Sequence, residues 1–164
     1  MGTNKVSITV NVNGTNVAAD VYPEESLLDF LRNRAGATDV KCGCAKGDCG
    51  TCTVIFEGRT VKSCLVLAAQ ADNKTVLTLK GIEQDELTQQ LQESFVVHGA
   101  IQCGFCTPGM IVTARSFLEK HTNPSRMQIK QAMSGNLCRC TGYKKIVDAV
   151  EDVASKKTGK QIGG

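Results

Sequence analysis

The stretch G-C-A-K-G-D-C-G-T-C-T-V, Gly43 to Val54, decides how the rest of the chain is read. It sets Cys44, Cys49 and Cys52 in a C-x4-C-x2-C spacing, which Cys64 closes further along. This is the plant-type spacing for a [2Fe–2S] cluster. Thiolates are soft ligands that suit iron–sulfur clusters and zinc. A cluster held by four thiolates is anionic. It needs backbone N–H groups aimed at its sulfurs and a main chain that can pass close by. Gly43, Gly47 and Gly50 lie among the cysteines and supply that freedom. A structural zinc site is the competing reading, but zinc ribbons usually present two C-x2-4-C knuckles. Here three cysteines fall within nine residues and the fourth is a distant single. Cys42 is the odd cysteine. It reads as a small buried residue, and only Cys44 completes the plant-type spacing.

A second foursome lies downstream. Cys103 and Cys106 form a C-G-F-C pair, and Cys138 and Cys140 a C-R-C pair. Its spacing is less diagnostic, and zinc remains an alternative there. Each pair adjoins a helical pattern, so antiparallel helices would bring both pairs to one end of a bundle. Helix N-termini expected at Thr107-Pro108 and near Tyr143 would add partial positive charge near anionic ligands.

Outward from the first site the chain is β-rich. Val6, Ile8, Val10 and Val12 alternate with polar residues, as in a half-buried strand. Asn13-Gly14 signals a hairpin turn, and Val17, Ala19 and Val21 form the return strand. Pro23 to Ser26 leads into a short helix over Leu27–Leu31, ended by Gly36. Thr53–Phe56 and Arg59–Val61 form a second hairpin about Glu57-Gly58, and Val76–Leu79 a last strand. The period then changes. Leu87, Leu91 and Phe95 start a helical stripe. Met110, Ala114, Phe117 and Leu118 form the next. Ile129, Ala132, Met133 and Leu137 form a third, and Ile146, Val150 and Val153 a fourth. Thr107 is the expected cap and Pro108 the first-turn residue of the second of these helices. The tail Lys156–Lys160 lacks an apolar face and reads as frayed. The fold class is therefore α+β, with one domain over residues 1–82 and a helical domain over 83–160.

Composition narrows the function. The 164 residues carry a formal charge of +3, with dispersed cations and no basic run, which argues against nucleic-acid binding. Trp is absent and aromatics are few, so the core is aliphatic. The N-terminal stretch Met1–Val12 has no apolar signal region and no stretch approaches a membrane span. A reducing, cytoplasmic setting is expected. There, clustered cysteines are metal ligands more often than disulfides. His98 and His121 read as surface or helix-end residues, and Met110 and Met133 as core. Arg139, Lys144 and Lys145 read as solvated or facing an acidic partner.

The strings Gly43–Val54, Q-C-G-F-C-T-P-G-M (Gln102–Met110) and G-N-L-C-R-C-T-G-Y (Gly135–Tyr143) closely resemble the iron–sulfur subunit of the xanthine oxidase family, the molybdenum hydroxylases. The likeness runs from Val6 to about Val153, with Gly50-Thr51 where many relatives carry Gly-Ala and with Cys42 outside the usual pattern. It implies an N-terminal β-grasp, ferredoxin-like domain and a C-terminal four-helix bundle domain, each with one [2Fe–2S] cluster. The implied ligands are Cys44, Cys49, Cys52 and Cys64 for one, and Cys103, Cys106, Cys138 and Cys140 for the other. It further implies that Gln102 and Cys140 contact a molybdopterin cofactor on a large partner subunit, with FAD on a further, medium subunit of a hetero-oligomer. The implied chemistry is oxidative hydroxylation of an N-heterocycle or aldehyde, in which water supplies the oxygen and two electrons depart singly. The chain has neither the G-x-G-x-x-G fingerprint nor the length for a flavin or molybdenum domain, so no substrate turnover is expected from it alone. A stand-alone ferredoxin-type carrier is the alternative, but such a carrier would need only the first domain.

Overall fold

Alternation of apolar residues builds the first half around a sheet. The computed structural model describes residues 4–160, so the first three residues of the stretch read against an export signal lie outside it. Strand β1 (Val6–Val12) buries Ile8, Val10 and Val12 and pairs antiparallel with β2 (Thr15–Val21). Asn13 and Gly14 turn the hairpin at φ of 53° and 86°, the doubly left-handed turn that matches strand twist. Strands β3 (Thr53–Phe56) and β4 (Arg59–Lys62) form the second hairpin. Strand β5 (Thr75–Leu77) enters between the two hairpins, parallel to β1 and antiparallel to β3. The result is one five-stranded sheet in the order β2-β1-β5-β3-β4. Helix α1 (Leu27–Asn33) is capped by the Ser26 hydroxyl, which accepts from the Asp29 N–H. It packs Leu27, Leu28, Phe30 and Leu31 into the sheet's core. Removing a ring buried like Phe30 costs about 3–5 kcal/mol.

The last strand is shorter than the sequence suggests. Asn13 Oδ1 accepts the Thr78 N–H at 2.9 Å, and Asn13 Nδ2 donates to Thr78 Oγ1 at 3.0 Å. That clasp ends β5, and Leu79 starts a one-turn helix, α2 (Leu79–Ile82), instead of closing a strand.

Four longer helices follow: α3 (Glu86–Val97), α4 (Thr107–Lys120), α5 (Arg126–Met133) and α6 (Lys144–Lys160). Leu91, Phe95, Met110, Leu118, Ile129, Met133, Ile146 and Val150 share their core. Three details differ from expectation. Cys106, not Thr107, occupies the capping position of α4; Thr107 is already helical and Pro108 sits in the first turn. Leu137 lies beyond the end of α5 and is exposed, because its N–H is used elsewhere, as described below. The tail Lys156–Lys160 continues α6. Two of its cations find partners: Lys156 bonds Asp152 one turn back, and Lys157 Nζ donates to the Leu118 carbonyl at 2.7 Å. A small third core, Ile55 of β3, Ile82 of α2 and Val112 of α4, joins the two halves. Among the described residues, no helix is long and apolar enough to cross a membrane.

Candidate metal centres

The loop between α1 and β3 gathers the first four thiols. Cys44 Sγ accepts from the backbone N–H of Lys46 at 3.5 Å and of Cys49 at 3.4 Å. Those donors, helped by the Asp48 N–H, lower the Cys44 thiol to about 6. Cys64 sits against Cys52; burial, reinforced by that neighbour, raises it to about 11. The four sulfurs therefore meet as two pairs, Cys44 with Cys49 and Cys52 with Cys64, and Cys64 also feels Cys44. Thr51 Oγ1 braces the loop, lying 3.2 Å from Cys49 Sγ and donating to the Lys41 carbonyl at 3.1 Å. Gly43 is required by closeness: a Cβ there would stand 2.9 Å from Cys49 Sγ. Cys42 is exposed, contrary to its reading as a small buried residue; it is Cys44, half-buried, that receives the loop's N–H groups.

The second four thiols come from two segments. Cys103 and Cys106 lie on the approach to α4, and Cys138 and Cys140 on the turn before α6. Cys103 Sγ and Cys140 Sγ are 3.5 Å apart and both residues are exposed. Cys106 faces Cys138; burial first, and then that neighbour, raises Cys106 to about 12. Against burial, the Thr141 hydroxyl at 3.2 Å lowers the Cys138 thiol. Here too the sulfurs form pairs. Two thiolates on one tetrahedral metal with bonds of about 2.3 Å stand about 3.7 Å apart, close to the Cys103–Cys140 separation. Among the described residues, no three His, Cys, Asp or Glu side chains gather as the ligands of a single ion. Cys106 also feels Cys103, so the two pairs lie within electrostatic reach of one another, an arrangement that a two-metal cluster could use. Gln102 is exposed beside Cys103, on the same edge as Cys140.

A buried joint ties the two sites together. Asn136 is 4 % exposed, and its Nδ2 donates to the Gly50 carbonyl at 2.9 Å. Thr113 Oγ1 donates to Asn136 Oδ1 at 3.0 Å. The next residue, Leu137, donates its N–H to the Cys49 carbonyl at 2.8 Å. Gly50 adopts φ +68°, and a Cβ on it would run into the Gly135 carbonyl. On the other side a Cβ on Gly109 would stand 2.6 Å from the Gly50 carbonyl. Tyr143, at φ 67°, holds the turn from behind: its hydroxyl accepts the Cys138 N–H at 2.9 Å and donates to the Asn136 carbonyl at 3.3 Å.

All eight cysteines singled out in the sequence are thus brought into two groups. Asn136, Tyr143 and the bracing role of Thr51 were missed. Asn136 and Tyr143 stand inside the G-N-L-C-R-C-T-G-Y string, where a polar residue beside a cysteine pair was the available signal. His98 and His121 cap the ends of α3 and α4, and Met110 and Met133 are buried, as expected.

Comparison with known proteins gives two family matches along the chain. Residues 10–79 match the family described as the 2Fe-2S iron-sulfur cluster binding domain, and residues 78–151 match the [2Fe-2S] binding domain family. The chain is 51 % identical over 147 residues to the nicotinate dehydrogenase small FeS subunit of Eubacterium barkeri, covering 90 % of this chain and 94 % of that one. This chain belongs to the iron–sulfur subunits of the molybdenum hydroxylases. The subunit is also 45 % identical to the nicotine 6-hydroxylase small subunit of Paenarthrobacter nicotinovorans, over 90 % of this chain and 89 % of the relative. Its fold superposes on a chain of quinoline 2-oxidoreductase from Pseudomonas putida 86 with a TM-score of 0.86 at 44 % identity, covering 97 % and 98 % of the two chains. Full-length similarity to a dedicated small subunit sets aside the stand-alone carrier.

Proposed function

We propose that this subunit relays electrons, one at a time, from a molybdopterin cofactor on a large partner subunit to a flavin on a medium subunit. Its two domains, 1–82 (a β-grasp) and 83–160 (a four-helix bundle), each hold one [2Fe–2S] cluster. Cys44 with Cys49 and Cys52 with Cys64 would grip the two irons of the first. Cys103 with Cys140 and Cys106 with Cys138 would grip those of the second. Bound there, such clusters supply one-electron redox chemistry, with potentials set by hydrogen bonds to sulfur and by exposure.

The observation that carries the reading is the joint. Leu137, adjacent to Cys138, donates directly to the carbonyl of Cys49. One hydrogen bond and a short run of covalent bonds therefore connect a thiol of each site. The chain's residues do the rest by placement. Exposed Cys103 and Cys140 give the second site an open edge, which suits the molybdopterin side, and Gln102 can donate and accept towards a heterocycle there. The first site is more enclosed, with Cys52 buried. Relatives named for nicotinate and nicotine, and a structural neighbour named for quinoline, favour an N-heterocycle as the complex's substrate over an aldehyde. A cytoplasmic location, where clustered cysteines stay reduced and bind metal, is part of the same proposal.

The test is purification from the native source. The subunit should co-purify with a molybdenum-containing chain and show no turnover once separated from it. Recovery as an unassociated carrier would contradict the reading. Gln102→Ala should lower turnover of the complex about tenfold, the loss of one good hydrogen bond, with both cluster signals intact. Unchanged kinetics would remove its role.

A further inference from the structure

Lys62, the last residue of β4, does not extend into solvent with the strand's other cation, Arg59. Its Nζ donates to the Gly47 carbonyl at 2.6 Å, at the middle of the first cysteine loop, and the residue is half-buried. Gly47 lies between the two thiol pairs: its N–H faces Cys64, and the N–H of the same peptide unit that Lys62 binds, that of Asp48, acts on Cys44. Leu65 covers the spot, its Cδ1 standing 2.6 Å from where a Gly47 Cβ would be. A cation bound to a carbonyl polarises that peptide and strengthens the donation from its N–H. Charges nearby do not cancel it. Asp48 is largely exposed and is met by Lys46 at 3.4 Å. Beside the second site one cation, Lys144, turns away to Asp148 at 2.8 Å.

We infer that Lys62 is a positioning residue for electron transfer: it fixes a positive charge on the first cysteine loop and so makes the first site a better electron acceptor than it would be without that charge. The inference rests on the proposal that this loop holds a cluster. Adding an electron makes the cluster more negative, so a fixed cation stabilises the reduced form and raises its midpoint potential. Removing the charge lowers it.

The experiment is a dithionite titration of the assembled complex, followed by electron paramagnetic resonance, in wild type and in Lys62→Met, Lys62→Gln and Lys62→Arg. The two neutral variants should keep both signals. At a fixed potential near the wild-type midpoint, the reduced-to-oxidised ratio of the first site should fall roughly tenfold, the scale expected for a partly screened unit charge, or about 59 mV for one electron. The second midpoint should not move, and Lys62→Arg should restore the first. Wild-type midpoints in both neutral variants would overturn the inference. So would loss of the first signal in them while Lys62→Arg keeps it, or loss in all three, because the side chain would then be an assembly staple. Absence of the first signal from the wild-type complex would instead defeat the cluster proposal itself.

Discussion

The two cysteine sites hold the same four-thiol donor set in opposite ways. The first is a continuous loop closed by one distant cysteine, with backbone N–H groups on Cys44 and one thiol, Cys52, fully buried. The second is assembled from two segments that meet at the end of a helical core, and two of its thiols, Cys103 and Cys140, face outward. An enclosed site with many internal donors suits an electron being kept. An open site suits an electron being received from another chain. The exposed Phe105 and Ile101 beside the second site, 46 % and 37 % exposed, strengthen the contrast, since apolar residues at the rim of an outward-facing site suit a protein contact.

The sharpest way to break the comparison is to delete one site. Cys106→Ser should abolish the resonance signal of the second site and stop electron flow through the complex, while the first signal survives. Persistence of both signals with full turnover would show that the second site is misassigned. The joint comes next. Gly109→Ala forces a Cβ against the Gly50 carbonyl and should cost about 1–3 kcal/mol, the usual penalty of overpacking, read from urea unfolding. An unchanged midpoint would mean that the two halves are not pressed together there.

Leu137→Pro sharpens the same contrast more gently. Proline removes the N–H that reaches Cys49, at a cost of about 1 kcal/mol plus any local backbone adjustment. Electron exchange between the sites, measured by rapid-freeze reduction, should slow, while exposed Leu137→Ala should leave it alone. Equal rates in both variants would mean that electrons take another route.

The smallest effect separates the halves by pH. Asp85 caps α3 and meets Arg115 at 3.3 Å. Burial opposes its ionisation, but Arg115 and Thr88 overcome this and hold its carboxyl below the usual range. A depressed folded value means that the stabilisation is complete above the unfolded value near 3.9 and is lost as pH falls through the lower folded value. Asp85→Ala should therefore cost about 1 kcal/mol at pH 7, the worth of a cap, and the gap from wild type should narrow in strong acid. A gap that widened in acid would reverse the assigned sign.

Both thiol groups were legible in the sequence because most of their cysteines recur at short local spacings. Strands and helices were legible because Val6–Val12 and Met110–Leu118 carry pure periods. What was not legible depends on distant partners. Asn136 and Gly50 bond across 86 positions, and no local pattern marks either as half of a joint. Leu137 fitted the α5 stripe by period, yet its N–H serves the other half of the molecule. Thr78 looked like strand until Asn13 claimed its backbone. Cys42 looked buried by residue type, and only the path of the loop exposes it.

The most direct measurement is iron and acid-labile sulfide on the anaerobically purified chain, with resonance spectra after dithionite. Two distinct signals with about four irons and four sulfides per chain are the predicted result. Zinc in place of iron, or a colourless and magnetically silent protein, would contradict it.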